Sequence, residues 1–392
     1  EQLSGLVQQS ISITLSENQL STLEHLMAHR VAVISGGPGT GKTEFLVRRT
    51  LYLLEHERIS PEDITILAFS RRGVAEIKER IRSAAPGTIG GLDIATFHSY
   101  AARLLETRAA EVGWSDTPQI LTGPEQIAVV HGLLKSEDPA DWSPAFGQLL
   151  STQTFAREVT EFILRAAEQM RTPAEIAEYR RADWRGVPDF LARYGATLRS
   201  TGRVDYGTLI AVAATLVETE ALDQGRPSDR FVLIDEYQDT TPAQVRLLQS
   251  LQLRNHRVLA AADPYQSIYS FRGATLENVA SFEDDFATSG APARRILLTT
   301  SFRTPSAILD AAVAVTAGEL PGATGAVVPA SGGGAINVHL FDQQVEEAEW
   351  IAAEAQRLHL TERIPYSKIG VFVRSKRRLL SELSRALERR HI

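Results

Sequence analysis

The sequence predicts an α/β protein: a parallel sheet covered on both faces, an all-helical insertion within it, and a second, partial α/β unit towards the C-terminal end. Three observations lead there. Eight short apolar runs are separated by helix-like segments, and most lack the alternation of a half-exposed strand, which is the pattern of strands buried on both faces. One block, 104–204, is helical in pattern throughout. A glycine-rich stretch follows the first apolar run directly and opens a helix-compatible segment, EFLVRRTLYLLE.

In chain order, VAVIS (31–35), ITILAF (64–69), LDIATF (92–97), FVLID (231–235) and RVLAAAD (257–263) are the strands expected of the first unit. RILLTT (295–300), INVHLF (336–341) and IGVFVR (369–374) are those expected of the second. Within the helical block, TFAREVTEFILRAAEQM sets Val159, Phe162, Ile163, Ala166 and Met170 on one face. Gly and Pro make 317–335 a loop. The expected division is 1–103 and 205–290 for the first α/β domain, 104–204 for the insertion, and 291–392 for the truncated second domain.

Composition narrows the class. A chain of 392 residues can form two or three domains with real cores. It has no Cys, hence no disulfide, thiolate metal site or cysteine nucleophile. No apolar run approaches 18 residues, and EQLSGLVQQS has neither the basic start nor the apolar stretch of a secretory signal, so a cytoplasmic location is the default expectation. The net charge of −7 argues against an all-over polyanion binder but leaves room for local basic strips. Lysine is scarce, so Lys42 invites inspection.

GGPGTGKT (36–43) fits G-x-x-x-x-G-K-[ST] between an apolar strand and a helix. The backbone of Gly36, Gly37, Pro38, Gly39, Thr40 and Gly41 would curl around phosphate oxygens, aided by the helix N-terminus. Lys42 would reach the β/γ-phosphates of ATP, and Thr43 would hold Mg²⁺. After FVLI, Asp235 would hold the hydrated metal and Glu236 would orient or deprotonate the attacking water. Taken alone, two acids after an apolar strand are an ordinary strand end; beside this loop they read as catalytic. Gln19 admits two readings, N3 of a capping box begun by Ser16 or an adenine contact.

The stretch ADPYQSIYSFRGA (262–274) mixes a carboxamide with rings immediately after an apolar run. A carboxamide can bond a phosphate oxygen or a water, and rings can stack on any base without reading sequence. Core packing of the rings is the alternative.

With these residues assembled, the chain resembles the UvrD/Rep/PcrA helicases of superfamily one over roughly 15–392. LSENQ (15–19) is similar to the family's Gln motif and GGPGTGKT to its Walker A. AFSRRGVAEIKERI (68–81) and ATFHSYAARLL (95–105) resemble motifs Ia and Ib. VDYGTLI (204–210) resembles the segment before Walker B. IDEYQDT (234–240), ADPYQSIYSFRGA and TSFRTPSAIL (300–309) resemble motifs II, III and IV. The resemblance implies a RecA-like core with Gln266 sensing the γ-phosphate, Arg303 as an arginine finger crossing from the second domain, and Phe302, where the family usually has Tyr, stacking on adenine. It also implies a DNA groove lined by Phe69, Arg71, Arg72, Thr96, His98, Tyr269, Phe271 and Arg272. Arg71-Arg72 stands where the family more often has Asn-Lys.

Motifs V and VI of the family are absent, and the initiating Met is missing, so a partial or processed chain that hydrolyses ATP slowly by itself is the expectation. The activity implied is an ATP- and Mg²⁺-dependent 3′-to-5′ translocase or helicase, acting on single-stranded DNA and duplex junctions in repair or recombination. A bacterial, cytoplasmic protein without a membrane partner, nucleoid-associated when acting, goes with it. Three alternatives stay open: the motor of a recombination helicase–nuclease with a nuclease or repair partner, a DNA-binding module that no longer translocates, and a small-molecule P-loop kinase.

Overall fold

The computed structural model describes residues 30–85, 90–223, 230–253, 256–268, 274, 277–287, 293–316 and 327–392, without the side chains of 220–223 and 376–378. Six parallel strands form one sheet in the order β3-β2-β4-β5-β1-β6. They are β1 (Val31–Gly36), β2 (Ile64–Ala68), β3 (Asp93–Thr96), β4 (Phe231–Ile234), β5 (Arg257–Ala262) and β6 (Arg294–Leu298). The register sets Val33 against Ala260, Ile34 against Ile296, and Leu67 against Ile234.

The missing alternation in these strands has a simple cause. Odd and even residues both meet helices, so both must be apolar. Val31, Val33, Val232, Ile234, Val258 and Ala260 join one core, packed by helices α3 (Phe97–Arg108), α7 (Tyr206–Asp223) and α8 (Pro242–Leu253). Ala32, Ile34, Phe231, Leu233 and Leu259 point the other way, to α1 (Lys42–Glu55) and α2 (Arg71–Ala84). Truncating a fully buried residue such as Ile34 to Ala would cost about 2–5 kcal/mol.

The insertion has its own core. Helices α4 (Gly123–Lys135), α5 (Gln153–Glu168) and α6 (Val187–Ser200) bury Val130, Val159, Ile163, Phe190 and Tyr194 together. Of the face expected on α5, Val159 and Ile163 lie in this core and Phe162 and Ala166 against it, while Met170 packs on the sheet's core instead. The block is not purely helical, since Gln119–Ile120 and Arg203–Val204 form a short parallel pair. A buried polar chain ties insertion to sheet domain. Asp205 accepts from the amide and hydroxyl of Thr208 (2.8 and 2.9 Å) at the start of α7 and from the Tyr194 hydroxyl (2.8 Å), which in turn accepts from Gln126 on α4 (3.1 Å).

Two expectations are corrected. A domain boundary at 290/291 does not coincide with a break in the sheet, because β6 pairs with β1 and so belongs to the first unit. The compact division falls between Gly333 and Gly334. In the unit that follows, α10 (Gln344–Glu362) and α11 (Lys376–Glu388) pack Ala348 and Ala352 against Leu379, Leu383 and Ala386; α9 (Ser306–Thr316) belongs to the first unit. INVHLF and IGVFVR do not form strands; Leu340 is 95% and Phe372 98% exposed. An apolar, β-branched run favours extended backbone, but a strand exists only where a neighbour takes its N–H and C=O groups. Neither run has such a neighbour among the described residues. No described helix is long and apolar enough to cross a membrane.

Candidate active site

The site grows from the carboxyl ends of β1, β4 and β5. After Gly36 the chain turns through Gly39 (φ +76°) and Gly41 (φ +87°), in the left-handed region open to glycine, and Gly41 caps α1. Gly39 is needed a second time. A Cβ there would lie 2.8 Å from both Ser301 Oγ and Arg303 Cβ, because the segment after β6 is pressed onto the loop. Ser301 Oγ donates to the Pro38 carbonyl (2.6 Å) and the Phe302 amide to that of Gly39 (2.9 Å), while Thr40 Oγ1 donates to the Gly37 carbonyl (2.9 Å). Phe302 and Arg303 therefore belong to the same compact unit as the loop, rather than crossing to it from a second one. Both side chains are exposed.

Lys42, the first residue of α1, is buried with its ammonium fully engaged. It donates to the carbonyls of Gly36 (2.8 Å) and Gly37 (2.9 Å) and to Asp263 Oδ2 (2.8 Å). Asp263 ends β5, the strand lying between β1 and β4, and has no solvent exposure. The same Oδ2 accepts from Gln266 Nε2 (2.6 Å). Sequence reasoning picked out Gln266 and passed over Asp263; the signal was an acid at the end of an apolar strand, the same one that picked out Asp235.

Asp235 ends β4, its amide held by the Leu67 carbonyl (2.9 Å). Thr43 Oγ1 donates to its carboxylate at 3.2–3.3 Å. Burial and the adjacent Glu236 charge push the Asp235 pKa up to about 6, opposed by Thr43 and Lys42. A hydroxyl beside a carboxylate is the hard-oxygen pair that suits Mg²⁺, an ion that keeps most of its waters and needs few protein ligands. The residues fit it. Glu236 stands in the left-handed region (φ +56°), a conformation costly for a non-glycine residue. Gln238 Nε2 donates to its carboxylate (2.7 Å), and Gln238 Oε1 accepts from the Asp263 amide (2.8 Å). The fully buried Gln238, also passed over in the sequence, thus bonds the Glu236 loop to the Asp263 loop. Asp239 is buried, its Oδ1 without a partner among the described residues, and burial together with the charges of Glu236 and Asp263 pushes its pKa up to about 7.

Lys42, Thr43, Asp235, Glu236, Gln266 and Arg303 come together around one cleft of about 580 Å³, with Phe69 and Arg72 at its side. Arg71 is exposed but does not line it. Thr96 caps α3, accepting from the Ser99 amide (3.2 Å). His98 lies with its ring 5.2 Å from that of Tyr206, and burial lowers its pKa, which leaves a neutral imidazole at pH 7. Gln19, Tyr269, Phe271 and Arg272 lie outside the described residues.

A parallel sheet with a glycine loop after its first strand, and acids at the ends of two others facing that loop, defines a RecA-like P-loop α/β fold. Residues 15–287 match the family described as UvrD/REP helicase N-terminal domain, and the chain belongs to that family. Among curated relatives, ATP-dependent DNA helicase PcrA of Bacillus subtilis is 27% identical over 373 residues, covering 92% of this chain and 48% of its own length. The PcrA helicases of Staphylococcus epidermidis and Staphylococcus aureus are each 28% identical, over 88% and 71% of this chain and 46% and 37% of their own. The chain thus spans about half, or less, of the length of these relatives.

Proposed function

We propose that this chain supplies the nucleotide-driven part of an ATP-dependent 3′-to-5′ translocase and helicase on single-stranded DNA, working in repair or recombination. The observation that carries the reading is the hydrogen-bonded path from Lys42 through Asp263 to Gln266, joined by Gln238 to Glu236. Those bonds tie the phosphate loop, the hydrolytic acid and the start of SIYSFRG into one network, so that a change at the phosphates is felt where Tyr269 and Phe271 begin. The relatives named above, all described as ATP-dependent DNA helicases, support it.

In this reading Lys42 leaves Asp263 to bind the β/γ-phosphates. Glu236 accepts the proton of the water that attacks the γ-phosphorus as the bond to the β-phosphate oxygen breaks, and Gln266 and Arg303 bond the γ-phosphate oxygens. Thr43 and Asp235 would hold Mg²⁺, whose charge offsets that on the phosphates. Phe69, Tyr269 and Phe271 stack on bases, while Arg71, Arg72 and Arg272 meet backbone phosphates. Gln19 and Phe302 contact adenine.

The test is steady-state ATP hydrolysis with and without oligo(dT), with Lys42→Ala as background, together with a translocation assay of known polarity. Strong stimulation by DNA is expected of the full-length protein, and slow hydrolysis of this chain by itself. Turnover indifferent to DNA would overturn the motor reading, and DNA binding without movement would leave only a binding module.

A further inference from the structure

A second cleft, of about 600 Å³, opens where the insertion meets the α/β domain, between α5 and α6 on one side and α7 on the other. Its floor is aliphatic, with Ile163, Leu198 and Val212. Small residues keep it open: Ala166 and Ala167 on α5, Gly195 on α6 and Ala211 on α7. Gly195 is the informative one. It sits mid-helix with no positive φ, and a Cβ there would meet nothing within 4 Å. Neither backbone geometry nor packing asks for glycine, and alanine would make a better helix. What glycine does at this position is leave room.

Charge is arranged differently from the floor. Arg171, Arg199, Arg203 and Arg246 stand around the cleft. Arg246 is neutralised by a two-pronged pair with Glu218 (both 2.8 Å), and Arg171 has Glu175 at 3.9 Å. Arg199 is exposed, and its guanidinium has no hydrogen-bond or ion-pair partner among the described residues. In a chain of net charge −7, the described lining holds four arginines and no carboxylate, their charge partly offset by Glu218, Glu175 and, for Arg203, Glu125 outside it.

We propose that this cleft is a docking site for an acidic amphipathic helix of a partner protein, its aliphatic side chains seated between α5, α6 and α7 and its Asp and Glu residues on the arginine rim. The volume suits a few side chains, and a trough walled by helices receives a helix by its apolar face. Single-stranded DNA is a poorer fit, because it needs aromatic faces to stack on. The rings here are Trp114 and a Tyr194 whose hydroxyl is bonded to Asp205.

A random-peptide phage library panned on the wild-type chain, with counter-selection on Gly195→Trp, tests this. Gly195→Trp fills the cleft at a position with free space, and Arg199→Glu reverses an exposed rim charge should the first variant fold poorly. Clones that distinguish the two chains are expected to be rich in Asp and Glu around Leu, Ile or Phe. A synthetic peptide from them should bind Arg199→Glu at least about tenfold more weakly, with basal ATP hydrolysis and oligo(dT) affinity unchanged. The proposal is overturned if no clone distinguishes the chains, if those that do lack an acidic bias, or if Arg199→Glu leaves peptide affinity as it was. Loss of oligo(dT) binding in both variants would instead make the cleft a nucleic-acid surface.

Discussion

Two clefts of this chain are nearly equal in size, about 580 and 600 Å³, and opposite in chemistry. In the first, buried charges line the cleft, Lys42 at the start of α1 and Asp235 and Asp239 after β4, with buried Asp263 behind Lys42. In the second the charges stand on the rim and the floor is aliphatic. A charge out of water is expensive unless hydrogen-bonded, and most bonds in the first cleft exist to meet that cost. Groups held that way act strongly on whatever enters, as phosphoryl transfer requires. The arginines of the second cleft, bonded to carboxylates or open to solvent, are placed to attract a partner. Volume does not distinguish a reactive site from a binding one; the depth of the charges does.

The sharpest way to break the comparison is Glu236→Gln in the first cleft. In the full-length protein, turnover should fall by about 10²–10⁴ with ATP and DNA affinity retained, and near wild-type turnover would remove Glu236 from the chemistry. Asp205→Ala, beneath the second cleft, should act on folding instead. It strands the buried Tyr194 hydroxyl and the Thr208 amide, for a loss of about 2–4 kcal/mol in denaturant unfolding. A stable variant would mean that insertion and sheet domain do not depend on this bond.

A smaller effect separates the clefts by pH. Asp239 has its folded pKa raised to about 7 from the ordinary 3.8, so the folded protein binds the proton more tightly than the unfolded one. Its contribution is present below about pH 4 and lost as pH rises towards 7. Asp239→Asn, neutral throughout, should therefore stabilise by about 1–2 kcal/mol at pH 8 and change little at pH 4, as read from melting curves at the two pH values. Equal shifts at both would mean that the carboxyl is not held protonated. The smallest change expected is Gly195→Ala, which should raise stability by about 0.5–1 kcal/mol without altering hydrolysis, since it improves a helix whose Cβ position is empty. A destabilised variant would mean that the second cleft is closed in solution.

Much of the first cleft was legible because its motifs are local: GGPGTGKT and IDEYQDT each bring the polar side chains that line it within a few residues of a strand end. Gln238 and Asp263 escaped notice because their work is to join segments distant in the chain. The second cleft was not legible at all. Ala166, Gly195, Arg199 and Ala211 are ordinary helix-surface residues until two helices of the insertion and one of the sheet domain are set against each other.

The sequence by itself determined the class of fold, the glycine loop between a strand and a helix, and the pair of acids that ends a neighbouring strand beside that loop. Each rests on residue type and short-range spacing, which the covalent chain enforces. Only the tertiary structure decided that the strand at 294–298 closes the first sheet, that 336–341 and 369–374 form no strands, and that Phe302 and Arg303 lie against Gly39 within the first unit. A strand needs a neighbour and a close approach needs a second backbone. Neither is written in the run of residues that depends on it.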